Sequence, residues 1–333
     1  MNADGKTHTI PEKRLALPSL GLILAAGDGT RLLPLTQRIT GDDRPKQFCA
    51  IVGEETLLQQ TRRRVSRLVP RWRTLLMLTK THESFYADQV AALPSSSVLI
   101  QPSDQGTAPA ILYSLMRLCE MDPKAVVAFF PSDHYFSDDD AFVRQIDSAY
   151  ALAAIQTEVV FLLSITPETP EVEYGWIEPD APLGNPSSNS ACRVSRFWEK
   201  PNQTLASALM ERGCLWNSFV IGHVYAFLNL VRHTLPDLAA SFESIRESFF
   251  TMAEPATVRH LYSVIHATSF SEDVLSVRPD RLAVLRGTGL GWSDLGEPSR
   301  VLSILDRKNV GKEQGLKPDH GERWCAAAET VVE

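Results

Sequence analysis

Short apolar runs alternate with amphipathic stretches along most of the chain from Leu20 onward. Runs rich in Val, Leu, Ile and Phe at 21–25, 74–79, 97–100, 125–130 and 158–164 read as strands buried on both faces. Between them, near 56–68, 82–92, 107–119 and 139–155, apolar residues recur at helical spacing. Strand–helix–strand alternation requires right-handed crossovers, so the expected fold is α/β with a doubly wound, mostly parallel sheet. Ligands bind such sheets beyond the carboxyl ends of the strands.

After about residue 165 the texture changes. Residues 165–190 are rich in Pro, Glu, Ser and Asn and read as a long excursion or lid. Strand-like 192–198 and 217–221 follow, then helices to about 265, then strand-like 281–286. The expected organisation is a polar tail over 1–18, a folded unit over 19–306 with halves 19–165 and 166–306, and a polar tail over 307–333. No internal repeat is present.

Composition narrows the partners. With 333 residues, 44% of them apolar, the chain can bury one large core or two unequal ones. A net charge of −7 argues against a general affinity for nucleic acid or an anionic membrane surface, so substrate phosphates need local cations. Five scattered cysteines without Cys-x-x-Cys spacing fit reduced thiols better than a disulfide frame or zinc site. The first eighteen residues lack a signal-peptide core, and no run approaches the ~18 apolar residues of a membrane span. A cytoplasmic, soluble protein is expected.

Three constellations carry candidate chemistry. The first apolar run empties into Ala25-Ala26-Gly27-Asp28-Gly29-Thr30-Arg31, and Arg44-Pro45-Lys46-Gln47-Phe48 follows. Gly27 and Gly29 lack Cβ, so their backbone can curl around phosphate oxygens, with Arg31 and Lys46 adding positive charge. The stretch is neither a P-loop, since the Lys is misplaced, nor a dinucleotide fingerprint, since Leu32 stands where the third glycine belongs. An ordinary strand-to-helix turn is the plainer alternative. Next, Asp133 follows an apolar strand and Asp294 sits in Gly291-Trp292-Ser293-Asp294-Leu295-Gly296. Strand-end carboxylates suit Mg²⁺, which takes one or two of them plus phosphates and waters; a turn or cap is the alternative for each. Last, Glu173-Tyr174-Gly175-Trp176-Ile177, Phe197-Trp198-Glu199-Lys200-Pro201 and Trp216-Asn217-Ser218-Phe219 set polar groups beside aromatics, a mix suited to a sugar ring. Residues 101–111 open a helix, with Thr107 as expected N-cap and Pro109 in its first turn. Asp138, Asp139 and Asp140 read as a helix cap, His134 as a neighbour rather than a ligand, and Arg62, Arg63, Arg64 and Arg67 as a solvated helix face.

The run from Gly27 to Thr36, followed by Pro45-Lys46, resembles the signature of the sugar-1-phosphate nucleotidylyltransferases. Arg44-Pro45-Lys46-Gln47-Phe48 and Thr107-Ala108-Pro109-Ala110 are similar to their mannose-1-phosphate guanylyltransferase branch. The resemblance implies a Rossmann-like nucleotidyltransferase fold with sugar-binding insertions and Mg²⁺ held by Asp133 and Asp294. It further implies a nucleotide site at Ala25, Ala26, Gly27, Gly29 and Thr30, with Gln101 and Gly106 against the base and Arg31 and Lys46 as catalytic cations. Gly175, Glu199 and Asn217 would meet sugar hydroxyls, and Lys200 the sugar phosphate. Asp273 matches a further family position in weaker surroundings. The implied reaction joins an NTP, best GTP, to a sugar 1-phosphate, best mannose 1-phosphate, with release of pyrophosphate. Two alternatives stay open: Gln101-Pro102-Ser103 and Gly106 are also similar to thymidylyl and uridylyl relatives acting on glucose 1-phosphate, and a regulatory nucleotide-sugar binder would keep the same pocket. A homodimer is compatible with the family, and neither the hexapeptide β-helix nor the cupin domain of some relatives is expected.

Overall fold

The computed structural model describes residues 19–184 and 191–310, the side chains of 307–310 excepted. The strand–helix alternation of the first half is present: β1 (Ser19–Leu24), α1 (Leu33–Thr40), α2 (Leu57–Val65), β2 (Thr74–Thr79), α3 (Glu83–Val90), β3 (Val98–Gln101), α4 (Thr107–Met121), β4 (Val126–Pro131), β5 (Tyr135–Phe136), α5 (Asp139–Ile155) and β6 (Val160–Ile165). The second half adds β7 (Gly175–Pro182), β8 (Cys192–Glu199), α6 (Gln203–Glu211), β9 (Leu215–His223), α7 (Val224–Thr234), α8 (Pro236–Ser244), α9 (Glu254–Tyr262), β10 (Leu282–Gly287), β11 (Trp292–Ser293) and α10 (Pro298–Val310).

Nine strands form one sheet, ordered β3-β2-β1-β4-β9-β6-β10-β8-β7. Within it β8 and β9 run against the rest, so the sheet is mostly parallel with an antiparallel insertion at its middle and another near one edge. The continuous apolar runs follow from burial on both faces. In β4, Val127 and Phe129 face the helices that include α4 and α7, while Val126, Ala128 and Phe130 face α2 and α5. Phe129 stacks on Phe227 of α7 at 4.4 Å.

Two sequence expectations change. Residues 165–190 are not only an excursion: β7 pairs with both β8 and β9, and Trp176 and Ile177 are fully buried. Its exposed far end, through Asp180 and Pro182, hid that signal, and 185–190 lie outside the described residues. The expected solvated arginine face holds for the exposed Arg63 and Arg67 but fails at Arg64. Arg64 is buried 4.8 Å over the Phe136 ring and paired with Asp139 at 2.6 Å, with Arg63 on the same carboxylate at 2.9 Å. The row therefore clamps α2 onto α5, while Asp138 caps α5 as expected by accepting the Ala141 N–H at 2.8 Å.

A second sheet consists of two short strands, β5 and β11, paired antiparallel with Ser293 opposite Tyr135. This ladder joins the chain just after β4 to the chain just before α10. It thereby brings Asp133 and Asp294 to one place.

Candidate active site

The glycine turn leaves β1 with its oxygens tied back. Thr79 donates to the Ala26 carbonyl at 2.8 Å and Gln47 to the Gly27 carbonyl at 2.7 Å. The N–H groups of residues 26–31 make no backbone hydrogen bond among the described residues, so the amide side of the turn is left for a ligand. Gly29 takes φ +61°, a left-handed value that favours glycine, whereas Gly27 has open space where a Cβ would go. No neighbouring atom of the fold requires a glycine at 27.

Beneath this turn a buried ammonium organises both aspartates. Lys46 Nζ donates to the Asp294 carbonyl at 2.5 Å and lies 3.1 Å from the Asp133 carboxylate. The Leu295 carbonyl also accepts from it, and Leu295 holds φ +49°, a rare conformation for a branched side chain. Asp294 is anchored through one oxygen: Oδ1 accepts from the Tyr174 hydroxyl at 2.7 Å, Arg300 Nη1 at 2.7 Å and the Gly296 N–H at 2.9 Å. Its Oδ2 has Arg31 at 3.4 Å. Burial works to raise the Asp294 acid, but Lys46, Arg300 and the Tyr174 hydroxyl together hold it down to about 2. Burial opposes ionisation of Asp133 as well, and Lys46 and His134 outweigh it, so its acid lies below the usual carboxylate range. Both groups are therefore anionic near neutral pH. His134 accepts from Trp292 Nε1 at 3.1 Å, which fits a neighbour's role.

A cleft of about 270 Å³ opens beside them, lined by Ala26, Gly27, Gly29, Gln101, Gly106 and Asp133 among others. Gln101 is 1% exposed and its amide is oriented: Nε2 donates to Thr79 at 3.0 Å, and the Tyr262 hydroxyl donates to Oε1 at 3.2 Å. Gly106 has φ +81°, and a Cβ there would lie 2.4 Å from the Thr268 carbonyl, so side chains are excluded twice over. Thr107 does not cap its own helix; it accepts the Phe270 N–H at 2.8 Å, bracing the turn against the segment after α9. Asp273 lies on that same segment, accepting the Ser269 N–H at 2.8 Å. Larger cavities of about 670 and 700 Å³ lie elsewhere, one along α2 and one behind Trp292, and neither is lined by the glycine turn or Asp133.

The second set of residues meets at the ends of β7, β8 and β9. Gly175 and Glu199 are direct cross-strand partners, and a Cβ on Gly175 would lie 2.7 Å from the Phe197 ring and 3.1 Å from the Glu199 carboxylate. Lys200 has φ +43° and donates its N–H to the Tyr174 carbonyl at 3.2 Å. Burial raises the Glu199 acid, with Lys200 opposing. Asn217 Oδ1 is buried with no hydrogen-bond partner, as are the indole nitrogens of Trp198 and Trp216. Asn217 shares a sheet face with Gly175, Phe197 and Glu199, whereas Trp198 and Trp216 pack with Trp176 on the opposite face, so of these three unpaired atoms only the Asn217 oxygen lies on the side of this set.

The nucleotidyl transferase family model matches residues 20–308, spanning both halves of this site. The chain belongs to the nucleotidyl transferase family. Among curated relatives, the alginate biosynthesis protein AlgA of Pseudomonas aeruginosa is 33% identical over 85% of this chain and 58% of its own length. The mannose-1-phosphate guanylyltransferase of Salmonella montevideo is 27% identical over 87% and 60% respectively. The chain thus spans about 60% of the length of these relatives. A solved structure from Thermus thermophilus, described as mannose-1-phosphate geranyltransferase, superposes with a TM-score of 0.73 at 26% identity, covering 86% of this chain and 80% of that one.

Two residues of this family member were not singled out from sequence: Tyr174, read only as part of its motif, and Arg300. Together they fix Asp294, and Arg300 also lies 4.7 Å over the Tyr174 ring and pairs with Glu171. The one available signal was position: Arg300 falls in the first turns of the helix that follows the Trp292-Ser293-Asp294 motif.

Among the described residues no group of three or more His, Cys, Asp or Glu side chains gathers at metal-binding spacing. Two ionised aspartates fit a divalent ion that completes its shell with waters and substrate phosphates, the habit of Mg²⁺, better than a protein cage of the zinc type. No described helix is long and apolar enough to cross a membrane.

Proposed function

We propose that the chain transfers the guanylyl group of GTP to mannose 1-phosphate, giving GDP-mannose and pyrophosphate. The observation that carries this reading is the Lys46-bridged pair Asp133 and Asp294 set between a glycine turn with free amides and the strand ends that carry Gly175, Glu199 and Lys200. Relatives named for mannose-1-phosphate guanylyl transfer and for alginate synthesis support the choice of sugar and base. Residue roles follow the two halves of the cleft: Ala25, Ala26, Gly27, Gly29, Thr30 and Arg31 at the triphosphate, Gln101 and Gly106 at the base, Gly175, Glu199 and Asn217 at the sugar.

A phosphate oxygen of the sugar 1-phosphate forms a bond to the α-phosphorus while the bond from that phosphorus to the β-phosphate bridge breaks, in line. The nucleophile is already an anion, so no general base and no covalent intermediate are required. Catalysis is then positioning and charge neutralisation. Lys200 would align the sugar phosphate, Lys46 would act on the phosphates from beneath through the Asp133 carboxylate and the backbone at 294–295 that it holds, and Arg31 with the turn amides would offset charge on the triphosphate. Asp133 and Asp294 would hold Mg²⁺, which neutralises phosphate charge when bound.

The test is pyrophosphate release measured for each of GTP, ATP, CTP, UTP and dTTP against mannose 1-phosphate and glucose 1-phosphate, with and without Mg²⁺. GTP with mannose 1-phosphate should exceed every other pair. A preference for dTTP or UTP with glucose 1-phosphate would reassign the substrates, and no turnover with any pair would favour a nucleotide-sugar-binding protein. Cytoplasmic location and a possible homodimer belong to the same proposal.

A further inference from the structure

Glu173 stands between two cations that the reading above assigns to phosphates. Its Oε2 lies 3.5 Å from Arg31 Nη1 and 3.9 Å from Lys200 Nζ, so one carboxylate oxygen serves both halves of the cleft. We propose that Glu173 is a built-in counter-anion, which pairs Arg31 and Lys200 in the free protein and yields Lys200 to the incoming sugar phosphate and Arg31 to the triphosphate. The inference rests on Lys200 being the sugar-phosphate cation.

Its position is set by its neighbour. The Tyr174 carbonyl accepts the Lys200 N–H, and the Tyr174 hydroxyl is bonded to Asp294, so the backbone at 173 is fixed to both halves. Lys200 is in turn held in a left-handed conformation, which restricts where its ammonium can reach. The pairs themselves are wet. Side-chain exposures are 35% for Glu173, 43% for Arg31 and 56% for Lys200, against 6% for Lys46 and 32% for Asp133 in their pair. In the second pair the cation is shielded from water, whereas here both cations are exposed, and exposed pairs at these distances contribute little to stability and exchange readily.

A single carboxylate is a weak match for two cations. A phosphate dianion brings twice the charge and three oxygens, and forms stronger charge-assisted hydrogen bonds. It therefore displaces Glu173, whereas singly charged anions compete poorly with a group already in place. Once displaced, Glu173 stays tethered beside the bound phosphate and repels it. Affinity for the sugar phosphate is accordingly lower than Lys200 alone would give, in exchange for discrimination against weaker anions.

The experiment is calorimetric titration of the full chain with mannose 1-phosphate and with inorganic phosphate as a sugar-free probe. Glu173→Gln should tighten both about two- to fivefold at low ionic strength, the scale of an exposed pair. The gain should shrink at about 0.5 M salt, since such pairs are screened. It should disappear in a Lys200→Ala background, and in turnover it should show as a lower KM for the sugar phosphate. Equal or weaker binding by Glu173→Gln, or a gain that persists without Lys200, would overturn the proposal. If Lys200→Ala alone leaves phosphate binding unchanged, the assignment of Lys200 has failed and the inference with it. Should Glu173→Gln fold poorly, Glu173→Asp, which draws the carboxylate back from both cations, must give a smaller gain of the same sign or the idea is wrong.

Discussion

The two sides of the cleft solve opposite problems. On the nucleotide side the key polar groups are already paired within the chain: Lys46 with Asp133 and two carbonyls, Gln101 with Thr79 and Tyr262, Asp294 with Tyr174 and Arg300. On the proposed sugar side they are left wanting, with Asn217 Oδ1 buried without a partner and the Lys200 side chain more than half exposed. One side is preorganised by internal bonds, and the other by shape. Substitutions on the first should therefore damage fold and rate together, whereas those on the second should alter affinity more than stability.

The sharpest break of that contrast is Lys46→Met. It takes the cation from between a partly exposed Asp133 and the buried Asp294, which keeps Arg300, so the loss should be that of a charge-assisted hydrogen bond, about 1.5–3 kcal/mol. Thermal melts should show the drop, and pyrophosphate release should fall to background. Next comes Asp294→Asn, which keeps the shape but removes the charge. Turnover should fall about 10²- to 10³-fold, the scale of losing one preorganised electrostatic contact, and retention of full rate would remove Asp294 from the site. Asp133→Asn is expected to behave alike.

Gly175→Ala tests the other side. The added methyl meets Phe197 and Glu199, so overpacking should cost about 1–3 kcal/mol and raise KM for the sugar phosphate, while GTP affinity measured by titration stays put. The smallest effect is expected from Glu199→Gln. A carboxylate whose acid is raised in the folded state lowers stability while it is charged, above its folded pKa, and that penalty is relieved as pH falls through this value toward the unfolded one. The amide should therefore raise Tm slightly at pH 8 and little at pH 4, while weakening sugar-phosphate binding at pH 8. A fall in Tm at pH 8 would show that the charge is favourable where it sits.

What could be read from the chain follows the same division. The glycine turn, Arg31 and Lys46 were legible because one contiguous stretch carries the proposed phosphate chemistry, Asp133 because it follows an apolar strand, and Asp294 because its Gly291-Trp292-Ser293-Asp294-Leu295-Gly296 surroundings resemble a family motif. The Tyr174 hydroxyl on Asp294 was not, since the bond closes across 120 residues and nothing local marks it. The strand β7 was hidden because it buries its first residues and exposes its last ones, a pattern without alternation. The arginines of α2 looked solvated because charge in a helix usually is, and the partners that bury Arg64 come from α5, 75 residues away. Thr107 has the residue type of a cap and the position of one, yet the backbone of Phe270 claims its hydroxyl.

The two-residue ladder between β5 and β11 has a consequence for how the molecule is made. Asp133 emerges from the ribosome long before Trp292 and Ser293, and until those residues arrive nothing in the chain can close the ladder. Loop closure over such a separation comes late, after the local strand–helix units have formed. The nascent protein thus acquires its glycine turn early and its paired aspartates last, so the charged centre is switched on by completion of the fold itself.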